Sequence, residues 1–351
     1  MRVYLYSEMQ KLIEKSGVGR AIYHQRNAAE KNGIELTGNI NDADIVHINT
    51  VFPKSVILAL RAHIRNIPVV YHAHSTREDF KNSYIGSNLF ANAFGKWLKF
   101  CYSLGDVIVT PTEYSKQLLL SYGIKKRIEA VSNGIDLNYY NREKTNAENF
   151  RKKYGYSDDD KIIMSVGLTI ERKGVCDFVE LAKRMPQYKF IWFGETNLDT
   201  VPLNVRKAVE TKLPNLCFAG YASKDDLKEA YAACDLFLFM SKEETEGIVV
   251  LEALAMKTPV LLRDIPVYSD WLKKDRDVYK ADSMDEFETE IKQIIAGEKP
   301  DITENGYSVA KQREIYKIGN KLKKIYDDTI NNYAAVHKLN VVKLAGNNDK
   351  L

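Results

Sequence analysis

Glu244 and Glu252 are acidic residues whose spacing suggests chemistry. They stand eight positions apart in the segment EETEGIVVLEALAMKTPV, which closely follows the apolar run LFLFM. Gly247 stands where a helix is expected to begin, so the pattern predicts a strand, a turn and then a helix. Ionised carboxylates accept paired hydrogen bonds from hydroxyl groups. Either glutamate alone is typical of a surface helix, but the pair at such a junction predicts a site that grips sugar or ribose hydroxyls.

A basic loop follows the first predicted strand of the second half of the chain. The loop reads GLTIERKG and places Arg172 and Lys173 between a strand and a helix. Cations at this position stabilise a leaving diphosphate, whose negative charge grows as the bond to it breaks. The alternative interpretation is a solvated basic loop that binds nothing.

The segment SGVGR brings Gly17 and Gly19 to the start of a predicted helix, a little after the first strand. Glycines permit a tight turn in which backbone N–H groups face a phosphate at the helix N-terminus. The segment lacks the full GxGxxG pattern and has no phosphate-loop lysine. An ordinary turn is therefore the competing interpretation.

Two histidines, His72 and His74, end another predicted strand in the segment YHAHSTRED. A histidine at a strand end can act on a substrate hydroxyl. No third ligand stands nearby, so we expect no zinc site here. A histidine that only hydrogen-bonds its own loop is the alternative, and Asp79, Lys81 and Tyr84 add polar groups to the same loop.

Strands and helices alternate along both halves of the chain. In the first half the predicted strands are Arg2–Tyr6, Ile34–Thr37, Asp44–Asn49, Val69–His72, Val107–Thr110 and Arg127–Val131. In the second half they are Lys161–Val166, Tyr188–Phe193, Asn215–Ala219, Leu236–Met240 and Pro259–Leu262. Short, nearly continuous apolar strands joined by helices predict parallel sheets covered on both faces. Ligands bind such sheets at the carboxyl ends of the strands, where all four candidate segments lie.

The polar, turn-rich stretch after Asn133 suggests a boundary between two domains. We predict a first domain over residues 1–138, a linker over 139–160 and a second domain over 161–310. A closing helix is expected over 311–338, where the helical pattern covers Ala310–Tyr333, and a tail over 339–351. The two domains are expected to face each other across a cleft.

Composition narrows the class of protein. The four cysteines (Cys101, Cys176, Cys217 and Cys234) form no CxxC pair, which is typical of reduced thiols in a cytosolic protein. The start MRVYLYSEMQ lacks a signal-peptide pattern, and no apolar run reaches membrane-spanning length. Residues 1–150 hold 19 basic and 14 acidic residues, whereas residues 151–351 hold 32 and 33. A basic first half suits nucleic acid, an anionic membrane or an anionic substrate, and charge alone does not choose among them.

Together these segments resemble the family-4 retaining glycosyltransferases of the GT-B fold, over nearly the whole chain. EETEGIVVLEALAMKTPV is similar to the family's acid-x7-acid motif and the strand that follows it. Ser132–Asp136, SNGID, is similar to the signature that ends the family's first domain. Pro68-Val69-Val70 followed by His74 resembles a segment of the acceptor domain. The resemblance implies an α/β, GT-B architecture of two Rossmann-like, doubly wound parallel-sheet domains.

The resemblance also implies roles for individual residues. Glu244, His74 and Lys173 would be catalytic: Glu244 would hold the donor sugar, His74 would lie beside the reacting carbon and Lys173 would contact the diphosphate. Glu252 would bind the nucleotide ribose. Further donor contacts would come from Gly17, Gly19, Gly247 and Ile248. Many relatives carry arginine where this chain has Leu168, and Arg172 is the candidate to supply that charge.

The implied chemistry needs neither a cofactor nor a metal ion. In such retaining enzymes the leaving phosphate is thought to help remove the acceptor proton, so no protein nucleophile is required. We therefore expect a UDP-sugar as substrate, no essential divalent ion, and a protein that works by positioning and charge stabilisation.

The first half looks most like bacterial enzymes that extend membrane glycolipids. SGVGRAIYHQ, DIVHINT, HAHSTREDFKNSYIGSN and TPTEYSK resemble enzymes that add a hexose, galactose or glucose, to glucosyl-diacylglycerol. Phe90, Phe94 and Trp97 recur at helical spacing beside Lys96 and Lys99, a pattern typical of a helix lying in a membrane interface. Lys125 and Lys126 add charge for anionic headgroups. The resemblance implies a cytoplasmic protein peripheral to the inner face of the cell membrane, and a core helix is the alternative for this segment.

Other functions compete with this one. A transferase of polysaccharide or polyprenyl-linked precursors would share the fold without a membrane-facing apolar rim. A non-catalytic nucleotide-sugar-binding protein would not need Glu244, Glu252, Lys173 and His74 together. We expect no nucleic-acid partner, because no recognised nucleic-acid module is present. A dehydrogenase would need a fuller glycine fingerprint.

Overall fold

The computed structural model describes residues 1–9, 13, 14 and 16–348, with side chains up to residue 335. It contains two six-stranded sheets, one in each half of the chain, and all strand pairs are parallel. Helices cover both faces of each sheet. The prediction of two Rossmann-like domains is therefore confirmed. No helix in the described ranges is long and apolar enough to cross a bilayer.

The N-terminal sheet has the order β2-β1-β3-β4-β5-β6. Its strands are β1 Arg2–Tyr6, β2 Glu35–Leu36, β3 Ile45–Ile48, β4 Val69–His72, β5 Val107–Thr110 and β6 Arg127–Ala130. Its helices are α1 Gly17–Lys31, α2 Pro53–Ile64, α3 Arg77–Phe80, α4 Ser87–Ser103 and α5 Glu113–Ser121. Every residue of β3, β4 and β5 is buried, as expected for central strands of a parallel sheet.

The C-terminal sheet has the order β12-β11-β10-β7-β8-β9. Its strands are β7 Ile162–Val166, β8 Lys189–Phe193, β9 Leu216–Gly220, β10 Leu236–Phe239, β11 Val260–Arg263 and β12 Tyr279–Ala281. The helices of this half are α6 Ala147–Tyr154, α7 Val175–Arg184, α8 Leu203–Glu210, α9 Lys224–Ala233, α10 Ile248–Ala255, α11 Met284–Ile295, α12 Thr303–Gln312 and α13 Ile315–Asn348. In each sheet the chain crosses from one side to the other next to its first strand, which opens a crevice at the carboxyl ends.

The predicted linker is not structureless. Residues 147–154 form α6, and Phe150 packs beside Phe193 of β8 with ring centroids 6.1 Å apart. This helix therefore packs with the C-terminal sheet. Helix α6 is hard to predict from the sequence, because a short run of charged residues with one buried aromatic has little helical periodicity.

The closing helical segment is broken in two, unlike the single predicted helix Ala310–Tyr333. Ile135 donates its N–H to Arg313 O at 3.0 Å and accepts from Ile315 N at 2.9 Å, so this backbone pairs with the SNGID segment instead of continuing α12. The following helix, α13, then packs Leu322 and Tyr326 against the N-terminal sheet. It runs to Asn348 and so includes most of the predicted tail, of which residues 349–351 lie outside the described residues.

Candidate active site

A cavity of about 1320 Å³ lies between the two domains, at the carboxyl ends of both sheets. Its walls are the loops that follow β1, β4, β7, β8, β9 and β10. Pockets for a single small ligand usually measure about 300–1,000 Å³. The space is therefore large enough for two substrates side by side.

Lys173 and Glu244 meet inside this cavity. Lys173 Nζ contacts Glu244 Oε1, to which Ser241 Oγ also donates a hydrogen bond at 2.7 Å. Burial opposes ionisation of Glu244, but the neighbouring Lys173 and Arg172 lower the pKa of this carboxyl below its usual value. Burial lowers the pKa of Lys173, and Glu244 opposes that shift. The pair is thus held as an ammonium and a carboxylate at one wall of the cavity.

Gly174 explains how Lys173 comes so near the loop after β10. It adopts a left-handed φ of 79°, and a Cβ atom there would come within 2.4 Å of Met240 O. Only glycine allows the two backbones to approach this closely. The GLTIERKG loop therefore aims its lysine at the EETEG loop because it ends in glycine.

Arg172 ties the two domains together on one side of the cavity. Its Nε donates to Ser83 Oγ at 3.1 Å, and its backbone N–H donates to Asn82 O at 3.0 Å. One terminal nitrogen, NH1, donates to Glu243 O at 2.7 Å and lies 3.7 Å from Glu244 Oε1. Arg172 is therefore within reach of Glu244 and anchored to the N-terminal domain.

Two helix starts line the cavity, one from each domain. Gly247 adopts φ 85°, begins α10 and lines the cavity together with Ile248. On the other side Gly17 and Gly19 line it at the start of α1, where a Cβ at Gly19 would lie 2.3 Å from Ile13 O. Helix N-termini attract anions. The predicted glycine-rich segments thus face one another across the gap.

The loop that carries Glu244 is fastened to the N-terminal domain. Thr245 O accepts hydrogen bonds from Thr112 Oγ1 at 2.8 Å and Ser115 Oγ at 3.0 Å. Glu246 Oε2 accepts from the backbone N–H and the side-chain amide of Asn133, at 3.0 and 2.7 Å. The SNGID segment therefore holds the acid loop in place.

Glu252, the second acid of the pair, does not line the cavity. It is fully buried and accepts hydrogen bonds from Tyr140 Oη at 2.6 Å and Tyr231 Oη at 3.1 Å. Arg20 Nε, from the SGVGR segment, lies 3.3 Å from its Oε1. The structure thus separates Glu252 from Glu244, and ribose binding by Glu252 stays a prediction. The network around it links α1 to α10 across the domain boundary.

His74 lines the cavity and stands at the end of a column of histidines. Its Nε2 lies 2.8 Å from Asn49 Oδ1. Its ring stacks on that of His72 with centroids 4.1 Å apart, and His72 stacks on His47 at 5.3 Å. Burial lowers the pKa of His74 to about 3, so the ring is neutral near pH 7. A neutral imidazole can hydrogen-bond a substrate hydroxyl but offers no positive charge to a diphosphate.

No group of three or more His, Cys, Asp or Glu side chains within the described ranges is arranged to hold a metal ion. The adjacent histidines stack on one another rather than converge on a point. Positive charge at this wall of the cavity comes instead from Lys173 and Arg172.

Comparison with known proteins agrees with this geometry. The model Glycosyltransferase Family 4 matches residues 35–139, and the model Glycosyl transferases group 1 matches residues 146–313. The chain is 41% identical over 332 residues to the processive diacylglycerol alpha-glucosyltransferase of Acholeplasma laidlawii, covering 94% of this chain and 99% of that protein. This chain belongs to the GT-B glycosyltransferases.

More distant relatives share the same architecture. The glycosyltransferase is 25% identical over 284 residues to the alpha-galactosylglucosyldiacylglycerol synthase of Streptococcus pneumoniae, covering 76% of this chain and 74% of that one. Its fold matches Anabaena Alr3699/HepE, solved with UDP and glucose, with a TM-score of 0.72 at 16% identity over 93% of this chain and 99% of that one. That similarity supports the fold alone.

The helix predicted to meet a membrane has two distinct faces in this glycosyltransferase. Leu98 and Cys101 of α4 are buried against the N-terminal sheet, whereas Leu89, Phe90 and Phe100 are 80%, 61% and 49% exposed. Trp97 is exposed at its edge, and its Nε1 donates to Val51 O at 2.8 Å. The apolar residues predicted to form one stripe therefore lie on two faces of α4. Those on the inner face belong to the core, and those on the outer face are exposed.

Basic side chains surround this outer surface. Lys96, Lys99, Lys125 and Lys126 are all exposed. Lys99 lies beside the turn at Gly123, because a Cβ there would come 3.0 Å from Lys99 Nζ. On α2, which packs on the same face of the sheet as α4, Ile57, Leu60 and Ile64 are exposed as well. Sequence reasoning missed these three, although their i, i+3, i+7 spacing was a signal.

Proposed function

We propose that this glycosyltransferase transfers a hexose, glucose or galactose, from a UDP-sugar to a diacylglycerol glycolipid such as glucosyl-diacylglycerol. The observation that carries the proposal is the buried Lys173–Glu244 pair in a cavity walled by both domains. The name of the Acholeplasma laidlawii relative, a diacylglycerol alpha-glucosyltransferase, supports the class of acceptor. A polysaccharide or polyprenyl-linked acceptor is less well supported, because the names of the relatives specify diacylglycerol lipids.

The donor would lie along the C-terminal wall. The diphosphate would sit between the amides of Gly247 and Ile248, the cations of Lys173 and Arg172, and the glycines at the start of α1. Its negative charge grows as the bond to the sugar breaks, so fixed positive charges stabilise the transition state more than the ground state. Glu244 would accept hydrogen bonds from the hexose hydroxyls and so fix the reacting carbon. Glu252 would bind the ribose only if its hydrogen bonds with Tyr140 and Tyr231 and its ion pair with Arg20 were broken.

We infer that the anomeric configuration is retained. UDP-hexoses carry the sugar in α linkage, and the relatives are named as alpha-transferases. The departing β-phosphate oxygen would take the proton of the acceptor hydroxyl on the face it leaves, with His74 hydrogen-bonding the sugar. The protein would supply position and charge rather than a nucleophile. No cofactor enters this scheme.

A screen of donors and acceptors in excess EDTA tests the function. UDP-glucose and UDP-galactose are each offered with vesicles containing diacylglycerol or glucosyl-diacylglycerol, and with soluble sugars. We expect transfer to a lipid acceptor at an undiminished rate in chelator, because the charge at the diphosphate is supplied by side chains. Transfer to soluble sugars alone would contradict the lipid assignment, and activity restored only by Mn²⁺ or Mg²⁺ would contradict the metal-free scheme.

We also propose that the α4 surface seats the enzyme on the inner face of the cell membrane. The exposed residues Leu89, Phe90 and Phe100 would enter the interface while the surrounding lysines meet anionic headgroups. A lysine near such a surface contributes about 1 kcal/mol. The placement brings the opening beside α3 and α4 close to the lipid.

Reversing four charges of this surface is expected to weaken membrane binding strongly. The variant changes Lys96, Lys99, Lys125 and Lys126 to glutamate, and co-sedimentation with anionic vesicles should fall by roughly 100-fold in affinity or more. A matched variant changes four exposed lysines of the other domain, Lys152, Lys207, Lys212 and Lys274, to glutamate with the same change in net charge. Equal binding by the two variants would remove the membrane assignment.

A further inference from the structure

The end of the cavity farthest into the N-terminal domain is lined by residues without an assigned role. They lie between β4 and the first turns of α4: Ser75, Asp79, Phe80, Ser83, Tyr84 and Phe94. We propose that this end is the subsite for the acceptor sugar and that the Asp79 carboxylate binds its hydroxyls. The proposal rests on the transferase function above and adds the site where the acceptor is recognised.

The Asp79 side chain is fixed by a hydrogen bond through one of its two carboxylate oxygens, Oδ1. It is the third residue of the short helix α3, where Thr76 Oγ1 accepts from Asp79 N at 3.1 Å and Asp79 Oδ1 accepts from Thr76 N at 3.2 Å. Within the described part of the chain no hydrogen bond engages Asp79 Oδ2. A carboxylate oxygen fixed by its partner atom is well placed to accept hydrogen bonds from a sugar.

Asp79 is connected to the donor site through one hydroxyl group. Ser83 Oγ donates to Asp79 O at 2.9 Å and accepts from Arg172 Nε at 3.1 Å, while Arg172 NH1 lies 3.7 Å from Glu244. Asp79 is therefore joined to Arg172 through its main-chain oxygen, and its carboxyl lies near enough to Arg172, Glu244 and Lys173 for their charges to act on it. The two carboxylates, Asp79 and Glu244, flank the space in which the sugars must meet.

The charge of Asp79 favours the acceptor over the donor. Burial raises its pKa to about 6, and Arg172 opposes that shift, so the carboxylate is mostly ionised at pH 7. An anion at this position would repel a diphosphate, which the cations and helix amides attract elsewhere in the cavity. Neutral hydroxyl groups of a glycolipid carry no such penalty.

The apolar walls beside Asp79 fit an amphiphilic acceptor. Phe80 and Phe94 pack with ring centroids 4.4 Å apart and line the cavity, which gives apolar area for the C–H face of a pyranose. Phe90 stands one turn before Phe94 on α4 and is 61% exposed. The wall therefore continues from the polar pocket at Asp79 to the outer apolar surface, so a sugar at Asp79 could keep its lipid chains outside.

Asp79→Asn tests the assignment. Asparagine can still accept the hydrogen bond from Thr76, so the fold is retained while the carboxylate charge is lost. We expect the KM for glucosyl-diacylglycerol in detergent micelles to rise by about 10-fold or more, with the Kd for UDP-glucose within about twofold of wild type. Glu78→Gln is the matched control, because Glu78 lies next in sequence, bonds Tyr122 and Arg77, and does not line the cavity.

Asp79→Glu keeps the experiment decisive if the asparagine variant does not fold. Glutamate at the third helical position also completes a capping box, yet it moves the carboxylate by one methylene. It should raise the acceptor KM and leave the Kd for UDP-glucose unchanged. A folded variant with a wild-type acceptor KM, or with lost donor binding, would overturn the acceptor subsite. Wild-type enzyme that transfers to no glycolipid would instead overturn the proposed function.

Discussion

Glu244→Gln is expected to reduce the rate of hexose transfer roughly 100-fold or more while leaving UDP binding within a few-fold of wild type. Glutamine has nearly the same shape but carries no charge, so it keeps Ser241 as a partner and loses the ion pair with Lys173. In the proposed scheme Glu244 holds the sugar and not the nucleotide. The loss should therefore appear in kcat rather than in the Kd for UDP, measured by UDP release and by calorimetry.

A matched control for this variant is Glu171→Gln. Glu171 lies in the same turn as Lys173 but does not line the cavity. It should retain wild-type transfer and a wild-type melting temperature. Transfer by Glu244→Gln at a rate near that of wild type would remove the central residue of the proposed site and leave only a nucleotide-sugar-binding fold.

Most of the architecture was predictable because buried parallel strands have a clear sequence pattern, the short apolar run. The eleven predicted strands, six in the first half and five in the second, all appear with ends shifted by at most two residues. β3, β4, β5, β7 and β10 are buried along their whole length, and their sequences are nearly continuous apolar runs. Such runs cannot be exposed on a helix surface, which leaves little choice of structure.

Elements with weak local signals were missed. β12 has three residues, YKA, and is a strand only because it pairs with β11 through Leu262 and Lys280. α8, LNVRKAVE, buries Val205 fully and leaves most of its surface polar. The gap between α12 and α13 depends on backbone hydrogen bonds with Ile135. Ile135 lies 180 residues before Ile315, which donates one of these bonds. Partners this distant leave no local pattern in the sequence.

The proposed donor half of the site was predictable from the sequence, whereas the proposed acceptor half was not. Lys173, Glu244 and Gly247 follow strands at the carboxyl edge of the C-terminal sheet, and the SGVGR glycines follow β1 of the N-terminal sheet, so the two groups meet at the cavity. Asp79 was noted only as one polar residue of its loop. Its importance depends on Ser83 and Arg172, which meet only when the domains approach each other. Spacing along the chain carries no record of that contact.

The acid motif does not predict the side chains that surround Glu252. Sequence spacing places Glu252 a turn or more inside the helix that follows Glu244, and α10 carries it away from the cavity and between Tyr140 and Tyr231. Arg20, the residue after Gly19, reaches it from the other domain. An opening of the domains would have to break this ion pair, so the acid motif and the glycine-rich segment are coupled through it.

Lys173→Met is expected to lower kcat by roughly 100-fold or more, because it removes the nearest cation from the departing diphosphate. Methionine preserves much of the apolar stem, so the change leaves little empty space. It also leaves Glu244 buried with Arg172 at 3.7 Å as its remaining charged partner. Breaking a buried pair by removing one partner costs about 3–5 kcal/mol, and Arg172 should hold this loss near the lower end. Lys242→Met is the control, since Lys242 pairs with Asp177 at 3.7 Å and does not line the cavity.

Combining Lys173→Met with Glu244→Gln separates stability from catalysis. The two side chains touch, so their effects on the free energy of unfolding should not add: the double variant has no buried carboxylate left with only Arg172 as a charged partner and should be more stable than Lys173→Met alone. The rate of transfer should not recover in the double variant. It should stay as low as in the less active of the two single variants, because the double variant lacks both the charge at the diphosphate and the carboxylate that binds the sugar. Chemical denaturation and single-turnover transfer measure the two quantities separately. Recovery of transfer in the double variant would mean that the pair serves folding only, since a catalytic pair cannot be replaced by two neutral side chains.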